Sequence, residues 1–432
     1  MGFKRNVFLT VTGAALALSS CKIIAQETKE NQLDTLTRFV NGMSDDVLKL
    51  KRIKFSGYVQ AQYQSADSSG IKSFSGGDFP ANTDKRFKIR RAEFKTMYDN
   101  GITQVVANID ITQNGINIKD AYGKFTEQKL RAFSLTAGIF NRPFGFEVPY
   151  SSGVLESPER SRMIQTLFPG ERDLGATITF QMPNTSVLNP LKIEAGFFNG
   201  TGNNVNDFDN KKDFIGNIHW NKATKSEKIS YGIGVSYYDG GIANGTKFIY
   251  SDVALLSNGN NGFKVDSTVA NKFAISKRNY IGADFQLNID WIAGMTTIRG
   301  EFIQGQQPGT SSTTTSAGTQ PVTDAYIRNF NGAYFFFMQN IMQTKHQLIV
   351  KYDWYDPNTK VAGDDIGKAG TKLGATDLKY TTLGLGWAYR FDTNVKFTLY
   401  YDMVTNETSK NLAGYSQDLK DNVVTLRMQY KF

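Results

Sequence analysis

Two groups of basic side chains have the types and spacing to act on charged solutes. Arg86, Lys88, Arg90, Arg91 and Lys95 fall in one short run, and Arg142, Arg160, Arg162 and Arg172 punctuate the stretch 142-172. Rows of guanidinium and ammonium groups attract anions without transforming them, and charged rings of this kind set the sign of the ion that passes a channel. The second stretch also carries Glu147, Glu156, Glu159, Glu171 and Asp173. These carboxylates can pair with the arginines and leave a crossed field of weak selectivity. The residues alone leave both readings open: an anion filter, or a weakly selective passage.

Other chemistry has few candidates. The two histidines, His219 and His346, stand at unrelated spacing, which makes a poor metal site. Each lies in or beside a strand near a turn, so both read as interfacial residues rather than as the base of a barrel-type hydrolase. Gly232-Ile233-Gly234 and Gly384-Leu385-Gly386 follow strands but open no helix, so they are not nucleotide fingerprints. They fit small lumen-facing positions instead. Asp207 with Asp209, and Asp364-Asp365, read as solvated loop charge, with weak calcium binding or lipopolysaccharide bridging as the alternative. No catalytic residue, metal, cofactor or nucleic-acid partner is expected, and the chain is not read as an enzyme.

The elements that must position the basic rows are strands. From residue 54 the apolar period is two. In the last strand Val424, Leu426, Met428, Tyr430 and Phe432 share one face, and Thr425, Arg427, Gln429 and Lys431 share the other. The same alternation recurs at Val395–Met403 and Leu383–Phe391. One face suits lipid and the other water, as in a transmembrane barrel. Such a wall reconciles 13% aromatic residues with a mean hydropathy of -0.36. Sixteen strands are predicted near 54-64, 86-98, 102-113, 117-128, 132-141, 173-182, 191-199, 213-220, 229-239, 278-289, 294-306, 328-340, 346-356, 378-391, 395-405 and 421-432. Short turns such as Asp99-Asn100-Gly101 alternate with long loops such as 240-277, 307-327 and 406-420. All ten prolines fall outside these predicted strands, as ladder hydrogen bonding requires. Four of them stand in 142-172, which is therefore a bent, structured loop, and the one expected to form a constriction.

The alternation changes phase inside the second strand. Arg86, Lys88 and Arg90 face one way, while Ala92, Phe94 and Thr96 take up the apolar face afterwards. A bulge near Arg90-Arg91 keeps both arginines on the lumen side. The five cations from Arg86 to Lys95 then line one wall, with the four arginines of the loop opposite. The 49 Lys and Arg exceed the 40 Asp and Glu, a mild excess whose placement matters more than its size.

The N-terminus sets the compartment. Lys4 and Arg5 precede an apolar run, Val7 to Ser20, of signal-peptide length. Residues 1-25 are expected to be removed, although Leu18-Ser19-Ser20-Cys21 is also similar to a lipidation site at the sole cysteine. Residues 26-53 are expected to form a periplasmic helical segment. Leu33, Leu36, Val40, Met43, Val47 and Leu50 follow a 3-4 spacing, read as one amphipathic helix or as a short bundle joining protomers. Residues 54-432 are then an outer-membrane barrel of a Gram-negative cell, in contact with lipid and lipopolysaccharide. Its width implies a passive aqueous diffusion channel for small hydrophilic solutes rather than a filled core, with a non-conducting binding barrel as another alternative. The Thr-Ser run 310-316 is low in complexity and expected to be mobile.

Several stretches make the sequence recognisable. Phe55-Ser56-Gly57-Tyr58, Ile89-Arg90-Arg91-Ala92, Ile118-Lys119-Asp120-Ala121-Tyr122 and Gly138-Ile139-Phe140-Asn141-Arg142-Pro143-Phe144-Gly145 resemble the phosphate-selective porin O and P family, in its Bacteroidota form. Glu159-Arg160 and Gly170-Glu171-Arg172-Asp173-Leu174-Gly175 continue the resemblance, which covers residues 54 to about 200. It implies a sixteen-stranded, commonly trimeric barrel that passes small anions along rows of arginine and lysine. Phosphate is the narrowest version of that expectation. The closing Phe432, after apolar residues at every second position, looks like the signal read by the barrel-assembly machinery.

Overall fold

The structure is a computed structural model that describes residues 34–44, 47, 49–203 and 205–432. The predicted leader 1-25, Cys21 and Leu33 lie outside the described residues. The chain divides into two compact units, 1–54 and 55–432. In the first, residues 34–44, 47 and 49–51 are helical, and Leu36, Val40, Met43, Val47 and Leu50 are exposed on that helix.

The second unit is built on strands β1 (Ile53–Ala66), β2 (Lys85–Asp99), β3 (Thr103–Thr112), β4 (Gly115–Thr126), β5 (Phe133–Asn141), β6 (Arg172–Gln181), β7 (Leu191–Phe198), β8 (Asp213–Ala223) and β9 (Ile229–Ala243). These are followed by β10 (Ile249–Leu255), β11 (Asn261–Asp266), β12 (Ile275–Trp291), β13 (Gly294–Gly309), β14 (Ala325–Asn340), β15 (His346–Asp356), β16 (Tyr380–Arg390), β17 (Val395–Asn406) and β18 (Val423–Lys431). β9 pairs directly with β12, and β1 pairs with both β2 and β18. The wall is thus a closed antiparallel ring of sixteen strands, with β10 and β11 as a hairpin outside it. Closure is what a membrane demands, since an open edge would leave backbone groups without partners in lipid. The closing register runs from Tyr58↔Lys431 to Ala66↔Val423.

The predicted faces are the observed ones. Val424, Leu426, Met428 and Tyr430 are exposed on the outside, whereas Thr425, Arg427 and Gln429 are buried inside. Gly384 and Gly386 leave room for the Tyr400 ring, which a Cβ at either position would strike. The turn between β2 and β3 is built as its residues dictate: Asn100 Oδ1 accepts from Ile102 N and Thr103 N, and Gly101 takes φ +87°. His346 closes an aromatic cluster at the short-turn end, where Trp387 Nε1 donates to its Nδ1 at 3.2 Å.

Four expectations need correction. The hairpin β10–β11 lies inside the predicted loop 240-277, because its short runs lack the length that marks a membrane strand. Pro308 lies inside β13, paired with Ile327, beyond the last β12–β13 pair at Asn279↔Gln306. Its missing N–H therefore costs no bond on the β12 side. His219 does not sit at a membrane interface. It turns into the lumen on β8, with Nε2 3.5 Å from Asp284 Oδ2, in space left by Gly234. The run 310-316 is tied down rather than free: Ser316 N donates to Thr166 O at 2.9 Å, and Arg328 Nη1 donates to Thr310 O at 2.9 Å.

Candidate constriction site

The loop between β5 and β6 is folded into the lumen. Its neck is closed by Arg142, whose backbone N–H donates to Glu171 O at 3.1 Å and whose guanidinium donates to Pro169 O at 3.1 Å. Beyond the neck the chain turns at Gly145, where φ is +59° and a Cβ would overlap Glu301 Oε1. Glu301 on β13 then accepts from Phe146 N, Glu147 N and Tyr334 OH at 3.3, 3.0 and 3.0 Å. Phe144, Met163, Ile164, Leu167 and Phe168 pack with Tyr238, Tyr280, Phe330 and Tyr334 of the wall. One flank of the loop is therefore a hydrophobic core inside the barrel.

The other anchors are polar. Lys396 Nζ donates to Leu155 O at 2.9 Å, Gln429 Nε2 to Gly153 O at 2.9 Å, and Gln60 Nε2 to Ser152 O at 3.0 Å. Arg299 pairs with Glu156 at 3.1 Å and lies over the rings of Phe146 and Tyr150. Glu147 is buried, with Ser161 donating from both N and Oγ. Burial pushes its carboxyl up, and Lys351, Ser161 and Arg160 offset this only in part.

Two carboxylates organise the arginines. Glu159 accepts from Arg90 Nε at 2.8 Å, Arg91 Nη2 at 2.8 Å and Arg427 Nη2 at 3.0 Å. Burial alone would raise its pKa, but Arg90, Arg91 and Arg427 outweigh that and hold the carboxyl well below the usual carboxylate range. Glu171 receives Arg160 Nη1 at 2.8 Å and Arg172 Nη1 at 2.9 Å. Against the same burial penalty, Arg160, Lys119 and Arg172 depress its carboxyl strongly. Glu171 takes φ +61°, a conformation a non-glycine residue adopts only where its surroundings enforce it.

The predicted site residues divide by role. Arg90 and Arg91 both face the lumen, so the alternation changes phase between them as a bulge requires, but both are spent on Glu159. Arg160 and Arg172 are spent on Glu171, and Arg172 also donates to Asp120 at 3.1 Å. Arg86 holds the β1–β2 loop through Gln64 Oε1 and Gly77 O and lies 3.8 Å from the Phe79 ring. Lys88 donates to Gly76 O at 2.9 Å. Arg142 staples the loop neck. Arg162 lies between the rings of Phe74 and Tyr380, and burial lowers its pKa. Of the nine, Lys95 and the ring-held Arg162 make no side-chain hydrogen bond or ion pair among the described residues.

Two further lysines that line cavities along β2–β7 share that property: Lys119 and Lys124. At Lys119 the β3–β4 register skips a residue, from Asn108↔Asp120 to Ile109↔Ile118. Lys119 is the extra residue of a bulge, a device that re-aims a side chain. Sequence spacing did not single it out, because a bulge breaks the very alternation by which lumen positions are recognised. Its only signal was its place in the Ile118–Tyr122 motif.

The unspent lysines line the open space. A cavity of about 410 Å³ is lined by Lys88, Arg90, Asp110, Lys119 and Asn203, among others. A second, of about 360 Å³, is lined by Lys95, Lys124, Lys192, Glu194, Tyr122 and Asp120, among others. Lys119 and Asp120 are neighbours in β4, so both cavities abut the same stretch of the wall. The space left beside the loop thus runs along β2–β7.

A closed sixteen-stranded wall with one loop folded into its lumen defines an outer-membrane porin. The family is more specific: the phosphate-selective porin O and P model matches residues 84–432, and the chain belongs to that family. The match continues to the last residue, well beyond the stretch of quoted motifs. Among solved structures, the fold is similar to an anion-selective porin from Comamonas acidovorans (10% identity, 88% of this chain and 99% of that one, TM-score 0.52). It is also similar to OprB of Pseudomonas putida (10% identity, 90% and 97%, TM-score 0.53) and the channel DcaP of Acinetobacter baumannii (11% identity, 88% and 97%, TM-score 0.51). At these identities the likeness is one of fold. No curated protein matches the sequence.

Proposed function

We propose that this porin is a passive, anion-preferring diffusion channel whose working cations are lysines. The observation that carries this reading is the division of labour in the lumen. The arginines at 90, 91, 160 and 172 are each bonded to a carboxylate, whereas Lys95, Lys119 and Lys124 keep unpaired charge on the cavities along β2–β7. An unpaired ammonium in a narrow, partly desolvated passage attracts an anion more strongly than one at a free surface. Phosphate is the narrower candidate, supported by the family's description. A homotrimer, export by the leader 1-25 and assembly through Phe432 belong to the same reading.

A second reading has its own support. Glu159 and Glu171 neutralise arginines, and Glu194 pairs with Lys192 at 2.8 Å, which favours a weakly selective pore. Reversal potentials under a KCl gradient separate the two. A potential of anion sign that shrinks in Lys119→Gln supports the lysine filter; a potential near zero supports the weak pore. Phosphate block of the chloride current tests the narrower candidate.

A further inference from the structure

Away from the constriction, residues 308–325 fold over the end of β9 and enclose a half-open cavity of about 410 Å³. That volume lies within the usual range of small-molecule sites. We propose that this cavity binds a neutral, polyhydroxylated solute of the size of a small sugar. No Asp, Glu, Lys, Arg or His lines it. Its wall is instead hydroxyl, amide and aliphatic. Thr315, Thr319, Gln320 and Thr323 contribute side chains with no hydrogen bond to any described residue, and Ile242, Pro308, Pro321 and Val322 contribute apolar surface.

This combination selects by charge and by polarity. A charged ligand would lose hydration there without meeting a counter-charge, which is costly. A purely apolar ligand would leave the threonine hydroxyls and the glutamine amide without partners. A sugar offers hydroxyls to the first set and C–H faces to the second. The strong charges behind the wall are already spent: Arg278 is bonded to Asp213, Gly200 O and Ser316 Oγ, Arg328 to Asp377 and Thr310 O, and Asp324 to Thr246 Oγ1.

The wall is also held in place, so the site exists before a ligand arrives. Thr310 N donates to Thr313 O at 2.9 Å, Gln307 Nε2 to Thr314 O at 3.2 Å, and Thr246 Oγ1 to Asp324 Oδ1 at 2.7 Å. A Cβ on Gly245 would overlap Pro321 O, so the two backbones lie in close contact. Ser316 N donates to Thr166 O of the constriction loop, which braces the cavity floor. Preorganisation of this kind reduces the ordering cost of binding.

Sugar binding at this site does not require the channel to be ion-selective. The test is isothermal titration of the folded, detergent-solubilised protein with glucose, sucrose, maltose and maltotriose. Saturable binding of at least one sugar is expected. The double variant Thr319→Val, Thr323→Val keeps side-chain shape at two exposed positions and is expected to weaken that binding by about tenfold, as two hydrogen bonds are lost. Ala317→Trp, which fills the cavity, is expected to abolish it, with KCl conductance retained in both variants as evidence of folding. Absence of saturable binding for all four sugars, or unchanged affinity in both folded variants, would overturn the proposal.

Discussion

Lys119 and Glu159 show how neighbouring charges in one lumen come to different uses. Glu159 gathers three guanidinium groups and is itself buried. Removing one partner of a buried pair costs roughly 3–5 kcal/mol. Glu159→Gln is therefore expected to loosen the constriction loop and raise single-channel conductance and noise, while the barrel still migrates as a folded species on an unheated gel. Conductance identical to the parent would show that the three arginines do not hold the loop. Glu159 and Glu171 are both depressed, so their contribution to loop anchorage is full above the ordinary carboxylate range, near pH 4.3. It is lost only as pH falls through their depressed values. The anchorage these two carboxylates provide should thus be constant from pH 7 to 5 and fail only in strongly acidic solution, so a conductance change between pH 7 and 5 would be assigned to the raised carboxyl of Glu147 and should vanish in Glu147→Gln. Lys119→Gln leaves every ion pair intact and should lower the anion-to-cation permeability ratio, whereas Arg86→Ala, which removes a loop tether, should leave the ratio unchanged.

At the scale of elements, the constriction loop is positioned by one turn and one neck. Gly145 has both a positive φ and no room for a Cβ beside Glu301. Gly145→Ala is expected to displace the loop by strain of roughly 1–3 kcal/mol, visible as protease cleavage within 142–171 of the folded protein. Resistance equal to the parent's would mean the turn tolerates a side chain. The loop's existence was legible from its prolines and arginines, and its carboxylates were legible as possible partners. Which partner each takes was not. Arg90 and Arg91 read as lumen cations with their partner left open because Glu159 lies 69 and 68 residues away in sequence, and such a pairing leaves no local pattern. Lys119 was hidden for the opposite reason, since its bulge erases the period-two signal locally.

For the whole barrel unit, alternation predicted the wall, its faces and its sixteen strands, because a membrane imposes that pattern on every crossing. The hairpin β10–β11 and the sugar-sized cavity carry no such imposed pattern, and a Thr-Ser run reads as mobile until its loop partners are known. The chain end completes the β1–β18 closure: Phe432 N donates to Gly57 O at 3.0 Å, and Gly57 N to Phe432 O at 3.1 Å, with the Phe432 ring 5.8 Å from that of Phe94. Gly57 has no space for a Cβ, which would strike Glu93 O and the Phe432 ring. Deleting Phe432 is expected to lower the folded fraction recovered from outer membranes several-fold; full recovery would show that closure does not depend on it. The filter also has a signature on this scale. The screening length falls from about 30 Å at 0.01 M salt to about 3 Å at 1 M, so lumen charge acts across the passage only in dilute solution. Anion preference should therefore weaken as salt rises.

The most direct measurement is the reversal potential of the purified protein in a planar bilayer under a KCl gradient, for the parent and for the triple variant Lys95→Gln, Lys119→Gln, Lys124→Gln. An anion-selective potential in the parent that falls toward zero in the triple variant is the expected result. A cation-selective parent, or an anion preference that survives loss of all three lysines, would contradict the account.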